Sequence, residues 1–96
     1  MKAPDPVQVS VVGDCQVKVT WTDNTTNETH YDVQRSDPGS AFGLDVAILA
    51  ANTTEYVDTV PGSGKYKYEV VARQMKAGKV ADFVVSKQIG RASCRE

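Results

Sequence analysis

Hydrophobic and polar residues alternate most cleanly over Lys65 to Gln74, K-Y-K-Y-E-V-V-A-R-Q. Tyr66, Tyr68, Val70 and Ala72 stand two apart, alternate with Lys67, Glu69 and Arg73, and are interrupted only by Val71. A period of two places the first set on one face of a strand and the second on the other, one face buried and one wet. Pro61-Gly62-Ser63-Gly64 precedes this stretch, and because Pro presets φ while Gly accepts positive φ, the strand is entered from a tight turn. Its size and pattern predict a central position.

The rest of the chain is placed around it. Ala3-Pro4-Asp5-Pro6 is an extended lead-in, since a residue before Pro is pushed out of the helical region. Val7, Val9 and Val11 then alternate with Gln8 and Ser10 as an edge strand, and after a turn at Gly13-Asp14 the residues Val17, Val19 and Trp21 alternate with Lys18, Thr20 and Thr22. Trp21 is the largest block of the expected core, worth on the order of several kcal/mol when buried. Asp23 to Thr29 is wholly polar and turn-prone, hence a surface loop. His30 to Ser36 is the third strand, with Tyr31 and Val33 on the core period, and Asp37-Pro38-Gly39-Ser40 turns it.

The apolar run from Phe42 to Ala51 has a length that suits a helix or a strand. Strands on both sides and the lack of room for a helix in a meander of this size favour the strand. Glu55 to Asp58 is a short fifth strand, Met75 to Lys79 is a hairpin loop around Gly78, and Val80 to Ile89 is the last strand. From Gly90 to Glu96 the alternation stops, which reads as a linker or a tail foreign to the domain. The pattern thus predicts an all-β chain of seven strands in an antiparallel two-sheet sandwich.

Composition narrows the class. At 96 residues the chain makes one domain, and 41% hydrophobic with 24% charged residues predicts a soluble globular fold without a membrane span. A net charge of -1 argues against non-specific nucleic-acid binding. The charge is uneven along the chain: residues 1 to 64 hold three basic and nine acidic side chains, residues 65 to 96 eight basic and three acidic. Strands of opposite sign lying side by side explain this, and a two-faced polarity favouring head-to-tail contacts is the alternative. Met1-Lys2 leads straight to the prolines with no apolar stretch, so no signal peptide is read there and the chain is expected to be an excised module.

Candidate chemistry is sparse. His30 is the single histidine and sits where a solvated loop-edge side chain is expected, which argues against a Ser-His-Asp triad. Two cysteines and one histidine do not close a four-ligand zinc site, and without a predicted helix there is no phosphate loop. No catalytic residue, cofactor or metal is therefore expected.

In order and spacing, several segments resemble a fibronectin type III domain over residues 4 to 89. These are Pro4 and Pro6, Val17-x-Val19-x-Trp21, Glu28-x-x-Tyr31-x-Val33-x-Arg35, Asn52-Thr53-Thr54-x-Tyr56-x-Asp58-Thr59 and Tyr66-x-Tyr68-x-Val70-x-Ala72. The resemblance implies an immunoglobulin-like sandwich in which Tyr66 is the tyrosine corner, its phenol bonded back to the preceding turn, with Trp21 packed beneath it. Trp21, Tyr31, Val33, Tyr56, Tyr66, Tyr68 and Val70 are the structural residues it implies. Met75 to Lys79 carries no Arg-Gly-Asp, so integrin binding is not implied.

The resembled topology puts the first turn and the end of the last strand at one pole. Cys15 and Cys94 approach each other there if the tail folds back, and two unpaired thiols are the alternative. The other pole gathers the loops carrying the sequons of Asn24, Asn27 and Asn52, read either as glycosylation sites or as plain loop formers. Asp23, Glu28, Asn52, Lys76 and Lys79 are its candidate contact residues, with no aromatic platform for sugars. The resemblance implies a non-catalytic module of a secreted or cell-surface protein, a spacer or protein-interaction domain. Its partners would be neighbouring domains, another protein or itself. A subunit of a homo-oligomeric or filamentous surface assembly is the alternative.

Overall fold

Each alternating segment has an apolar side that only a second layer can hide, and the chain solves this by stacking two sheets. The computed structural model describes residues 2–13, 15–24, 28–39, 43–86 and 90–94. Eight strands follow in order: β1 (Gln8–Gly13), β2 (Gln16–Thr20), β3 (His30–Ser36), β4 (Leu44–Ala50), β5 (Glu55–Thr59), β6 (Gly64–Lys76), β7 (Lys79–Val85) and β8 (Gly90–Cys94). One sheet has the order β1-β2-β5, the other β4-β3-β6-β7 with β8 also paired to β6, and every pairing is antiparallel. No described residue is helical.

β6 is the central strand that its alternation predicts. β3 runs along one side of it from His30 opposite Arg73 to Ser36 opposite Lys67. The other side is shared: β7 covers Val71 to Lys76 and β8 covers Gly64 to Tyr68. Ser86 bridges the break, its amide donating to the Val70 carbonyl at 2.8 Å and its hydroxyl accepting from the Val70 amide at 3.1 Å. The ladder edge at Val70 is thereby satisfied, as a buried amide requires.

The core lies between the sheets. Val17 and Val19 of β2 meet Tyr31 and Val33 of β3 and Tyr66, Tyr68, Val70 and Ala72 of β6, all buried, with Trp21 and Val60 closing the ends. Val71 breaks the alternation yet is only 1% exposed, because on the outer face it sits in register between Asp32 and Val85.

Four expectations need correction. The strand count is eight, since a further strand follows β7 beyond the stretch Val80 to Ile89 expected to be the last. Gly90 to Cys94, read as a tail, forms β8, where Gly90 and Ala92 are buried and Arg91 and Ser93 exposed. Such small inward residues carry no apolar signal. Trp21 lies one residue beyond β2, its amide donating to Thr54 at 3.0 Å. Its ring rests on Tyr31, centroids 5.7 Å apart and tilted 54°. Tyr66 is six residues along β6 from Ala72, the partner of Tyr31, so Trp21 stands about 20 Å from the corner it was expected to support. The run in β4 is a strand as expected, but an edge one, which is why Leu44 and Ile48 are 54% and 71% exposed. Asp14, Asn27, Ser40, Phe42 and Ile89 lie outside the described residues.

Candidate functional site

At one pole the loop after β2 meets the turn after β4. The Tyr31 phenol donates to Asp23 Oδ1 at 2.5 Å and lies 3.5 Å from Glu28 Oε1, which also accepts the Asn52 amide at 3.3 Å. Burial first, then the bond to Asp23 and the charges of Glu28 and Asp23, push the Tyr31 pKa well above the usual phenol range. Glu28 is 8% exposed, so this candidate contact residue is engaged inside the fold. Its Oε2 and the Trp21 Nε1 are buried without a hydrogen-bond partner among the described residues. Asn52 is exposed with φ +68°, a conformation that Asn tolerates at a turn.

The same loop is tied to the end of β6. The Thr29 amide donates to Arg73 at 2.7 Å and its hydroxyl accepts from the Met75 amide at 2.9 Å. Lys76 and Lys79 follow, paired across the β6-β7 hairpin and exposed. Asn24 turns the other way, its Nδ2 donating to the carbonyls of Ala3 at 2.9 Å and Asp5 at 2.8 Å, which clamps the incoming chain to this pole.

Between the sheets lies a polar lock. Arg35 of β3 points inward and donates from Nη1 to Asp58 of β5 at 3.0 Å and from Nε to Asp37 at 2.6 Å. The Tyr68 hydroxyl donates to the same Asp58 oxygen at 2.9 Å, and the guanidinium carbon stands 5.6 Å from the centre of the Tyr66 ring. Burial pushes the Tyr68 phenol up, and the bond to and charge of Asp58 push it further, against the opposing charge of Arg35. Burial works against the Arg35 charge, but the bonds to Asp37 and Asp58 outweigh it and raise its pKa. This group joins the two sheets. The sequence carries its signal: Arg35 continues the inward period of Tyr31 and Val33, and Asp58 that of Tyr56.

The outer face of the larger sheet holds a second ion cluster. Asp32, 3% exposed, is 3.3 Å from His30 Nε2 and pairs with Arg73 Nε through its other oxygen. Among the described residues Asp32 Oδ1 and Arg73 Nε have these ion-pair contacts but no hydrogen-bond partner. His30, expected to be solvated, is therefore half-buried beside a carboxylate.

At the opposite pole the Tyr66 hydroxyl donates to the Gly62 carbonyl at 2.9 Å. Cys15, whose carbonyl accepts from the Val60 amide, is disulfide-bonded, and the sequence holds one other cysteine, Cys94, whose backbone pairs with Gly64. Among the described residues no three His, Cys, Asp or Glu side chains group as metal ligands. A cleft where β1 meets β8 is lined by Gln8, Ser10, Thr20 and Arg91 with Val7 and Val9, and among the described residues it has neither carboxylate nor imidazole in its lining.

No family model matches the chain, and no curated protein matches it. Among solved structures it is similar to pectate lyase Pel3 from Pectobacterium carotovorum, with a TM-score of 0.72 and 16% identity over 94% of this chain. The chain spans 26% of that enzyme's length. It is also similar to an Fn3-like protein from Clostridium thermocellum, with a TM-score of 0.70 and 21% identity, covering 99% of this chain and 97% of that one. At these identities the likeness is one of fold, and it agrees with the strand order and the Tyr66 corner. The chain thus has a fibronectin type III-like fold.

Proposed function

We propose that this chain is a non-catalytic spacer or protein-interaction module of a larger secreted or cell-surface protein. The observation that carries the reading is the placement of the segment before β1 and of β8 at opposite poles. The incoming segment is clamped by Asn24 at the Tyr31 pole, and β8 ends beside Gly64 at the Tyr66 pole. Chain direction thus runs from pole to pole of a body 43 Å long, the arrangement that holds neighbours at a fixed separation. The interior supports this, since its Arg35, Asp58 and Tyr68 are spent on joining the sheets. The 26% share of the pectate lyase that this fold matches is in keeping with a module inside a longer chain. Exposed loops around Asn52 and Lys76 are left for contacts, where such scaffolds carry recognition.

The test is to insert the chain between two fluorescent domains and follow energy transfer during urea unfolding, alongside hydrolysis assays on a polysaccharide panel that includes pectate. A rigid spacer gives constant transfer up to one cooperative transition, and no hydrolysis. Transfer that drifts before the transition, or turnover of any substrate, would overturn the reading.

A further inference from the structure

The open edges of the two sheets differ in how they are guarded. Natural edge strands avoid pairing with other chains through charge, Pro, bulges, brevity or cover. β7 carries Lys79 and Asp82 and a register shift between Gln74 and Met75. β1 has a register shift before Gly13 and β8 packed beside it, where an added Cβ on Gly90 would stand 1.9 Å from Val9. β5 has five residues, two of them acidic. β4, by contrast, reads L-D-V-A-I-L-A, with no Lys, Arg or Pro, and its single bulge lies at Val46, ahead of a regular stretch from Ala47 to Ala50. Its one charge, Asp45, accepts from Gln34 Nε2 at 3.0 Å. Ile48, at 71% the most exposed large apolar side chain among the described residues, stands in the middle of this stretch.

From this we infer that β4 is a self-association site, pairing antiparallel with β4 of a second copy about a two-fold axis at Ile48. An unpaired edge presents a row of backbone donors and acceptors, so its occupant must be an extended strand. The sequence of β4 suits its own copy. Pairing at Ile48 sets the two isoleucines against each other on the outer face and Ala47 against Leu49 on the inner one, so the regular stretch beyond the bulge at Val46 matches like with like. Charge fits as well: Asp45 falls opposite Ala51, which separates the two Asp45 side chains by about 20 Å, beyond the screening length of about 10 Å. A symmetric contact of this kind closes on two copies.

Sedimentation equilibrium from micromolar to millimolar protein tests this with the wild type, Ile48→Lys and, as an edge control, Val57→Lys on β5. The expected result is a mass that climbs toward two chains for the wild type and V57K, and stays at one for I48K at an unchanged melting temperature. Ile48→Cys supplies a second readout that does not depend on I48K folding: mild oxidation should give a disulfide-linked pair, because the axis sets residue 48 against its own mate. A monomeric wild type at millimolar concentration, growth past two chains, dimers that survive I48K, or an I48C that fails to cross-link would each overturn the pairing.

Discussion

Removing Arg35 tests the energetic claim that the two sheets are joined through a buried charge. Asp58 is 5% exposed and has two partners, Arg35 Nη1 at 3.0 Å and the Tyr68 hydroxyl at 2.9 Å. Arg35→Met keeps most of the apolar stem but leaves the carboxylate buried with one neutral donor. Stripping a buried ion of its counter-charge costs about 3–5 kcal/mol. With a shift of about 4–8 °C per kcal/mol for a domain of this size, the melting temperature should fall by roughly 12–40 °C. Asp58→Leu is expected to cost less, about 1–3 kcal/mol, because Arg35 and the Tyr68 hydroxyl each lose one acceptor but the guanidinium keeps its counter-charge in Asp37 at 2.6 Å. The double variant should then be no worse than R35M alone, since both charges have gone. Urea denaturation with a shared m value gives the four free energies of this cycle. An R35M loss under about 1 kcal/mol, or two losses that simply add, would refute the reasoning.

Three further outcomes follow from the same contacts. The Tyr31 and Tyr68 pKa values lie above the ordinary phenol value of about 10, so above that pH the unfolded chain releases protons the folded chain retains. Their contribution is constant below pH 10, and above it stability falls by about 1.4 kcal/mol per pH unit for each tyrosine. In an absorbance titration at alkaline pH, their phenolate signal should appear only together with loss of the strand circular dichroism; ionisation of either in the folded protein would contradict this. Gly64→Ala places a Cβ 2.4 Å from Pro38 Cγ at a φ of +142°. It should cost about 1–3 kcal/mol from backbone strain alone, and adding Pro38→Ala should recover the clash but not the strain. Asn24→Ala removes the donor held by Ala3 and Asp5, so hydrogen exchange should quicken across residues 3–8 while the melting temperature moves by only a few degrees. An unchanged exchange rate there would mean that the clamp does not hold the segment.

Much of the fold was legible in the chain itself because strand formation is written in a local period. Tyr66, Tyr68, Val70 and Ala72 mark β6 without reference to any other segment, and the span of β3, His30 to Ser36, is the one its pattern predicts. Where the period is masked by residue size, legibility fails. Gly90 and Ala92 face inward as surely as a valine does, yet they leave no apolar trace. The candidate pole was legible only as a grouping of loops. That Glu28 would be buried beneath the Tyr31 hydroxyl, and His30 drawn against Asp32, depends on which residues stand across the sheet.

The sequence by itself determined seven of the eight strands, the turns between them and the inward set of aromatic and branched side chains, since a period of two is a property of neighbours along the chain. Tertiary structure alone decided that Arg35 finds Asp58, that Trp21 rests on Tyr31 at the far pole from Tyr66, and that the apolar run of β4 lies at an edge with Ile48 exposed. Each of these turns on strand order and on contacts between residues far apart along the chain, which no local pattern records.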